Sequence, residues 1–261
     1  MQVWSVANQK GGVGKTTTTV TLSGLLVQRG QRVLMIDLDP HGSLTSYFRY
    51  DPDSIESSVY SLFQGPQRPE PSSIILPTSI DGLDLMPAST ALATLDRQLG
   101  ATEGMGLVLA KAILQVAGRY DHVFIDCPPV LGVLMVNALA ASSRLLIPVQ
   151  TEFLALKGLE RMLRTLNMIL RARQRALEYL IVPTMFDRRT RASLESLKSL
   201  KVQHGDKTWK SVIPVDTQFR EASRQGIPLG HLNPQGRGTI AYTMLLDSLL
   251  GNSAPAPGTA P

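Results

Sequence analysis

The stretch that decides the fold is VANQKGGVGKTTTTV, Val6 to Val20. A strand-like run leads into three glycines, and Gly-Lys-Thr then opens a segment with helical spacing. Strand, glycine loop and helix in that order form the context of a phosphate-binding loop. In the strict pattern G-x-x-x-x-G-K-[ST], ending at Gly14-Lys15-Thr16, the first glycine falls on position 9, and Gln9 is there. The loop is therefore a variant, and it carries a second lysine, Lys10, ahead of the glycines. Gly11, Gly12, Val13 and Gly14 let the backbone turn tightly and aim N–H groups inward, and the helix N-terminus adds partial positive charge. Lys15 is expected to reach the β- and γ-phosphates, the Thr16 hydroxyl to ligate Mg²⁺, and Thr17 to bond the α-phosphate. Lys10 has two readings: it folds over its own nucleotide, or it reaches one held by another subunit.

Outward from this loop, short apolar runs alternate with longer helical patterns. Residues 3–7, 32–39, 83–88, 122–129, 144–149, 179–186 and 211–215 read as buried strands. Residues 15–29, 105–118, 132–142, 154–173, 192–202 and 238–250 read as helices. Such alternation predicts a single-domain α/β fold, a mostly parallel twisted sheet with helices on both faces. Ligands in such sheets bind at the carboxyl ends of the strands. Residues 50–82 are rich in Pro and Ser, with weak periodicity, and read as a surface excursion holding one short helix. The domain is expected to span 1–250. The small, Pro-rich, uncharged tail 251–261 is expected to be disordered.

The chain has 261 residues, 43% of them hydrophobic, enough for a substantial core. Its formal charge of +5 makes an anionic partner plausible without naming one. The lone cysteine, Cys127, excludes an internal disulfide and a Cys-rich metal site. No charged segment followed by an apolar run opens the chain, and no run of about 18 apolar residues occurs. A cytoplasmic protein is the expectation.

The carboxylates fall where the site needs them. Asp37 and Asp39 alternate at the end of the second strand and so share a face. Asp126 ends the apolar run HVFI, the Walker B arrangement in which a carboxylate holds Mg²⁺ through water. Two prolines, Pro128 and Pro129, stiffen the exit. Cys127 reads as packing.

KGGVGKTT is the deviant Walker A motif, and the chain from Gln2 to about Leu250 resembles the ParA/MinD family of ATPases, nearest its short, Soj-like members. VLMIDLDPHGSLTSYF is similar to the family's switch I, FIDCPPVLGVLMVNAL to its Walker B and switch II, and IPVQTEFLALKGLERM to the segment that follows. IVPTMFDRRT and SVIPVDTQFREASRQGIPL resemble its late segments. The resemblance implies a homodimer in the ATP state, with ATP and Mg²⁺ as ligands and Lys10 crossing to the partner's phosphates. It implies that Asp39 orients the attacking water, with Asp37 near Mg²⁺ or supporting it. Thr184, Pro214 and Asp216 would flank the adenine. Arg188, Arg189, Arg191, Arg220 and Arg224 form two basic segments. Within them Arg189, Arg220 and Arg224 would touch DNA without sequence preference. The helical stretch 171–179 reads as a solvated basic face. An activating partner protein would stimulate slow hydrolysis, and nucleoid or polar association would follow. The end of the chain lacks the basic amphipathic helix of the MinD branch, so no membrane contact is expected.

Two departures stand out. His41 and Ser43 occupy positions where the family usually has Gln and Asn. With the 50–82 region they point toward a member that positions a protein assembly, such as a chemotaxis array or polar structure, while plasmid or chromosome segregation stays open. A nitrogenase-reductase-like carrier needs two cysteines per chain, and one is present. A biosynthetic ligase or amidase of the same superfamily stays open as a further alternative.

Overall fold

A computed structural model describes residues 1–65, 68–95, 105–171 and 177–251. Seven strands form one sheet in the order β3-β4-β2-β5-β1-β6-β7. The strands are β1 Gln2–Val6, β2 Val33–Asp37, β3 Leu76–Pro77, β4 Leu83–Met86, β5 His122–Asp126, β6 Arg144–Gln150 and β7 Glu178–Thr184. All neighbours run parallel except the edge pair β3 and β4. The parallel core follows from sequence: every residue of Val33–Asp37 and of His122–Asp126 is buried, as strands covered on both faces require.

Alternate residues feed two cores. Trp4, Val6, Val33, Met35 and Phe124 pack under the helices Lys15–Gln28 and Arg237–Leu249. Val3, Leu34, Ile36, Val123 and Ile125 pack against Val108–Gln115, Val133–Ala141 and Phe153–Arg171. A Trp4–Phe124 edge contact with centroids 5.3 Å apart lies within the first core. Thr18 and Tyr242 join its two helices through hydroxyls 2.8 Å apart.

Two expectations need correction. Residues 211–215 form no strand. Pro214 makes only an isolated bridge to Phe186, and Thr208 another to Ile181. Pro183 and Pro214 lack the N–H groups that a continuous ladder along this edge would use. The 50–82 region is not merely a surface excursion. Turns of 3-10 helix at Val59–Phe63 and Pro71–Ile74 drive Val59, Leu62, Phe63 and Ile74 into the core, and the segment adds β3 to the sheet. The apolar residues there are too few and too closely spaced to show a period. Residues 172–176 of the basic stretch and 252–261 of the tail lie outside the described residues. No helix among the described residues is long and apolar enough to cross a membrane.

Candidate nucleotide and metal site

The glycine loop joins β1 to the helix Lys15–Gln28. Its ends are pinned before any ligand is considered. Asn8 Nδ2 donates to Pro148 O at 2.7 Å, and Asn8 Oδ1 accepts the Lys10 N–H at 2.9 Å. Val13 is fully buried, and its carbonyl accepts the Thr184 hydroxyl at 2.9 Å. Gly12 and Gly14 have φ of 73° and 94°, conformations that glycine adopts freely. A Cβ on Gly11, Gly12 or Gly14 would meet nothing within 4 Å, so the loop faces open space. That space is a cleft of about 540 Å³ lined by Lys15, Thr16, Thr17, Asp39 and His41 among others.

At its floor the parallel register sets Asp37 directly beside Asp126. Both are buried, Asp37 completely. Burial pushes the Asp126 carboxyl up, to about 8, and the facing Asp37 charge adds to the rise, against the Thr16 hydrogen bond and the Lys15 charge. Burial likewise pushes Asp37 up, opposed by its bonds to Thr45. Their surroundings then separate their roles. Asp37 Oδ2 accepts the Thr45 N–H and hydroxyl, both at 2.8 Å, and Oδ1 accepts the Asp39 N–H at 3.1 Å. Asp126 Oδ2 accepts the Thr16 hydroxyl at 2.6 Å, but its buried Oδ1 has no partner. An unpartnered carboxylate oxygen beside a threonine hydroxyl is a hard-oxygen donor set that fits Mg²⁺ completed by phosphate and water. No cluster of three or more His, Cys, Asp or Glu among the described residues offers an all-protein cage.

Asp39 stands at the cleft wall. Its Oδ1 accepts from His41 N at 3.1 Å and lies 2.9 Å from His41 Nδ1. A second cleft, of about 510 Å³, continues past Gly14 and Thr17 and is lined by Thr184, Pro214, Asp216 and Arg220. The candidate base residues are thus brought to the loop. Asp216 is committed, however: its oxygens accept Gln218 N–H and Gly238 N–H, each at 3.0 Å, and so seat two helices. Cys127 is fully buried, and burial raises its thiol far above the usual range, which fits packing.

Lys10 points elsewhere. Its ammonium is bonded to Glu152 and lies 3.3 Å from Gln150 Oε1, at the end of β6. The arginines differ among themselves. Arg189 forms a two-point bond to Asp187, whose carboxyl it holds down at about 2. Arg224 does the same to Glu221, and Arg191 pairs with Glu195. No ion pair is found for Arg220 among the described residues.

Sequence reasoning missed Tyr47, Met185, Phe219 and Ser223, which line the cleft. Phe219 and Ser223, four apart on the helix Gln218–Gln225, carried a helical signal; Met185, with φ of 51°, carried none.

The chain is similar to known proteins over most of its length. The family described as an AAA domain matches residues 1–179. The sporulation initiation inhibitor protein Soj of Bacillus subtilis is 36% identical over 252 residues, covering 96% of this chain and 99% of that one. The chromosome partitioning protein ParA of Caulobacter vibrioides is 36% identical over 248 residues, covering 94% and 92%. A crystal structure of cobyrinic acid a,c-diamide synthase from Mycobacterium smegmatis, with bound ATP analogue and magnesium, superposes with a TM-score of 0.83 at 34% identity, over 96% of this chain and 94% of that one.

Proposed function

The chain belongs to the ParA/MinD family of P-loop ATPases, and from that premise we propose an ATP-driven dimerising switch that positions a cellular cargo. The observation that carries the nucleotide site is the Thr16–Asp126 pair beside the open glycine loop, with Asp126 Oδ1 unpartnered. Lys15 and the loop N–H groups bind and orient the triphosphate. Thr16 and Asp126 would hold Mg²⁺, which supplies charge neutralisation on the phosphates when bound. Asp37 holds Thr45, and through it the loop that carries Asp39. Asp39 orients the attacking water.

Support for a second copy comes from the same end of the sheet. Val130, Phe153 and Leu154, just past β5 and β6, are 59%, 66% and 70% exposed. Such apolar exposure beside a charged cleft favours association across it. Lys10 would then leave Glu152 for the partner's phosphates. DNA retention would rest on Arg220 first, because Arg189 and Arg224 are already neutralised by local acids. Turnover should be slow, far below the roughly 10 per second typical of enzymes, with an activating protein resetting the dimer. A protein assembly is the proposed cargo, on the strength of His41 and Ser43, with plasmid or chromosome segregation as the neighbouring reading.

The decisive experiment is sedimentation of the full chain with ATP, ADP or no nucleotide, each with and without DNA. A dimer only with ATP supports the switch; an unchanged mass in all three states refutes it. The named activity of the Mycobacterium smegmatis relative, an amide-forming synthase, keeps a biosynthetic ligase reading in view. ATP turnover without any small carboxylate, accelerated by DNA and a partner, excludes it.

A further inference from the structure

The loop that leaves the carboxylate floor ends in a helix stop with an unexpected occupant. After the short helix Ser43–Tyr47, Arg49 N–H bonds Ser46 O at 3.1 Å and Tyr50 N–H bonds Thr45 O at 3.3 Å. This double closure places residue 49 in the left-handed region, where glycine is the usual choice. Arg49 is there with φ of 70°. A side chain costs free energy in that conformation, and it persists only when other contacts hold it.

The guanidinium supplies the contact. It donates to the carbonyl of Arg224, near the end of the helix Gln218–Gln225. The last carbonyls of a helix have no partner within it. Here Ala222 O and Ser223 O are taken by Ile227 and Gly226, and Arg49 takes the next. Tyr47 fastens the same junction through its hydroxyl, which donates to Ile227 O at 2.8 Å. The receiving side is shaped to admit them. Gly226 has φ of 73°, and a Cβ on it would lie 3.1 Å from Tyr47 O and 3.3 Å from Arg49 Nε.

The helix so capped has two faces. Phe219 and Ser223 line both the phosphate cleft and the base cleft. Arg220 and Arg224 are exposed. Its first turn is held from the base side by Asp216. The capping loop, in turn, is held from the metal side by Asp37 through Thr45.

We infer that Arg49 is a positioning residue that caps the helix Gln218–Gln225 from the Asp39 loop, so that the two elements move as one body and nucleotide state reaches the outward arginines. The inference rests on the nucleotide site proposed above and not on DNA as the ligand of those arginines.

The test is amide hydrogen exchange over residues 222–227 in the full chain, without ligand, with Mg-ADP and with a Mg-bound non-hydrolysable ATP analogue. Three proteins are compared: wild type, Arg49→Gly and Arg49→Lys. Glycine suits the backbone at position 49, so that variant removes the cap without straining the short helix. Ligand-free exchange at 222–227 should quicken roughly five- to tenfold in Arg49→Gly, the scale of one lost hydrogen bond. The difference between ADP and ATP analogue should disappear with it, and Arg49→Lys should restore much of both. Arg49→Gly with wild-type exchange and a wild-type nucleotide response would overturn the inference. So would a wild type that binds both nucleotides yet exchanges identically in each. If wild type binds no nucleotide, the proposed function fails instead, and the ligand-free comparison still decides the cap.

Discussion

Asp126→Asn should make the ligand-free protein more stable while removing its Mg²⁺-dependent turnover. The buried carboxyl is raised from an ordinary 3.8 to about 8, chiefly by burial and then by the Asp37 charge. Between those limits the folded chain keeps a proton that the unfolded chain has lost. Stability therefore falls as pH rises, by about 1.4 kcal/mol per unit while the folded carboxyl stays protonated. Below pH 6.5 the picture is mixed, because burial lowers His122 and His231 and their titration carries the opposite sign. From pH 6.5 to 8 the carboxyl outweighs them, and its contribution is on the order of 1–2 kcal/mol. For a chain of this size that is a fall in Tm of a few degrees. Thermal unfolding of both proteins across that range, without nucleotide or divalent ions, reads it directly. Wild type should slope downward and Asp126→Asn should not, lying above wild type at pH 8. A flat wild-type profile, or a variant less stable at pH 8, would refute the assignment of a buried, protonated Asp126 in the ligand-free state.

Thr184→Val removes the bond to Val13 O that steadies the loop; ATP affinity should weaken roughly five- to tenfold by equilibrium titration, about 1–1.4 kcal/mol. Glu152→Gln frees Lys10 from its charged partner, so ATP-dependent dimers should appear at lower protein concentration in sedimentation; an unchanged midpoint counts against a competing pair. Arg220→Glu should weaken DNA retention in a low-salt shift assay more than Arg189→Glu, because Arg189 is already tied to Asp187. Equal losses would remove that distinction.

What could be read in the chain depended on how far apart the cooperating residues lie. Gly12, Gly14, Lys15 and Thr16 all fall within five consecutive residues, so their chemistry shows in one short stretch of sequence. Asp37 and Asp126 each announce a strand end, but their adjacency comes from β5 sitting between β2 and β1, an order that chain sequence does not dictate. The division of labour between them needed two further facts, Thr45 beneath one and an unpartnered oxygen on the other. Strand 211–215 failed for a local reason that was visible: Pro214 cannot donate to a ladder. The pairing of Arg189 with Asp187, two residues away, was equally visible and changes what that arginine has left to offer.

Lys10 shows why spacing reaches only so far. Two readings of a second lysine were open, its own nucleotide or a neighbour's, and the single chain adopts neither. Its ammonium rests on Glu152, with side chains 32% and 38% exposed. A pair so exposed to solvent is worth about 0.2–1 kcal/mol. Leaving it therefore costs no more than about a fivefold factor in population. A triphosphate offers several anionic oxygens where Glu152 offers two, so a nucleotide within reach outcompetes it easily. The resting contact keeps the cation out of its own cleft without holding it there firmly. That is the balance a residue needs if its productive partner is to arrive on another molecule.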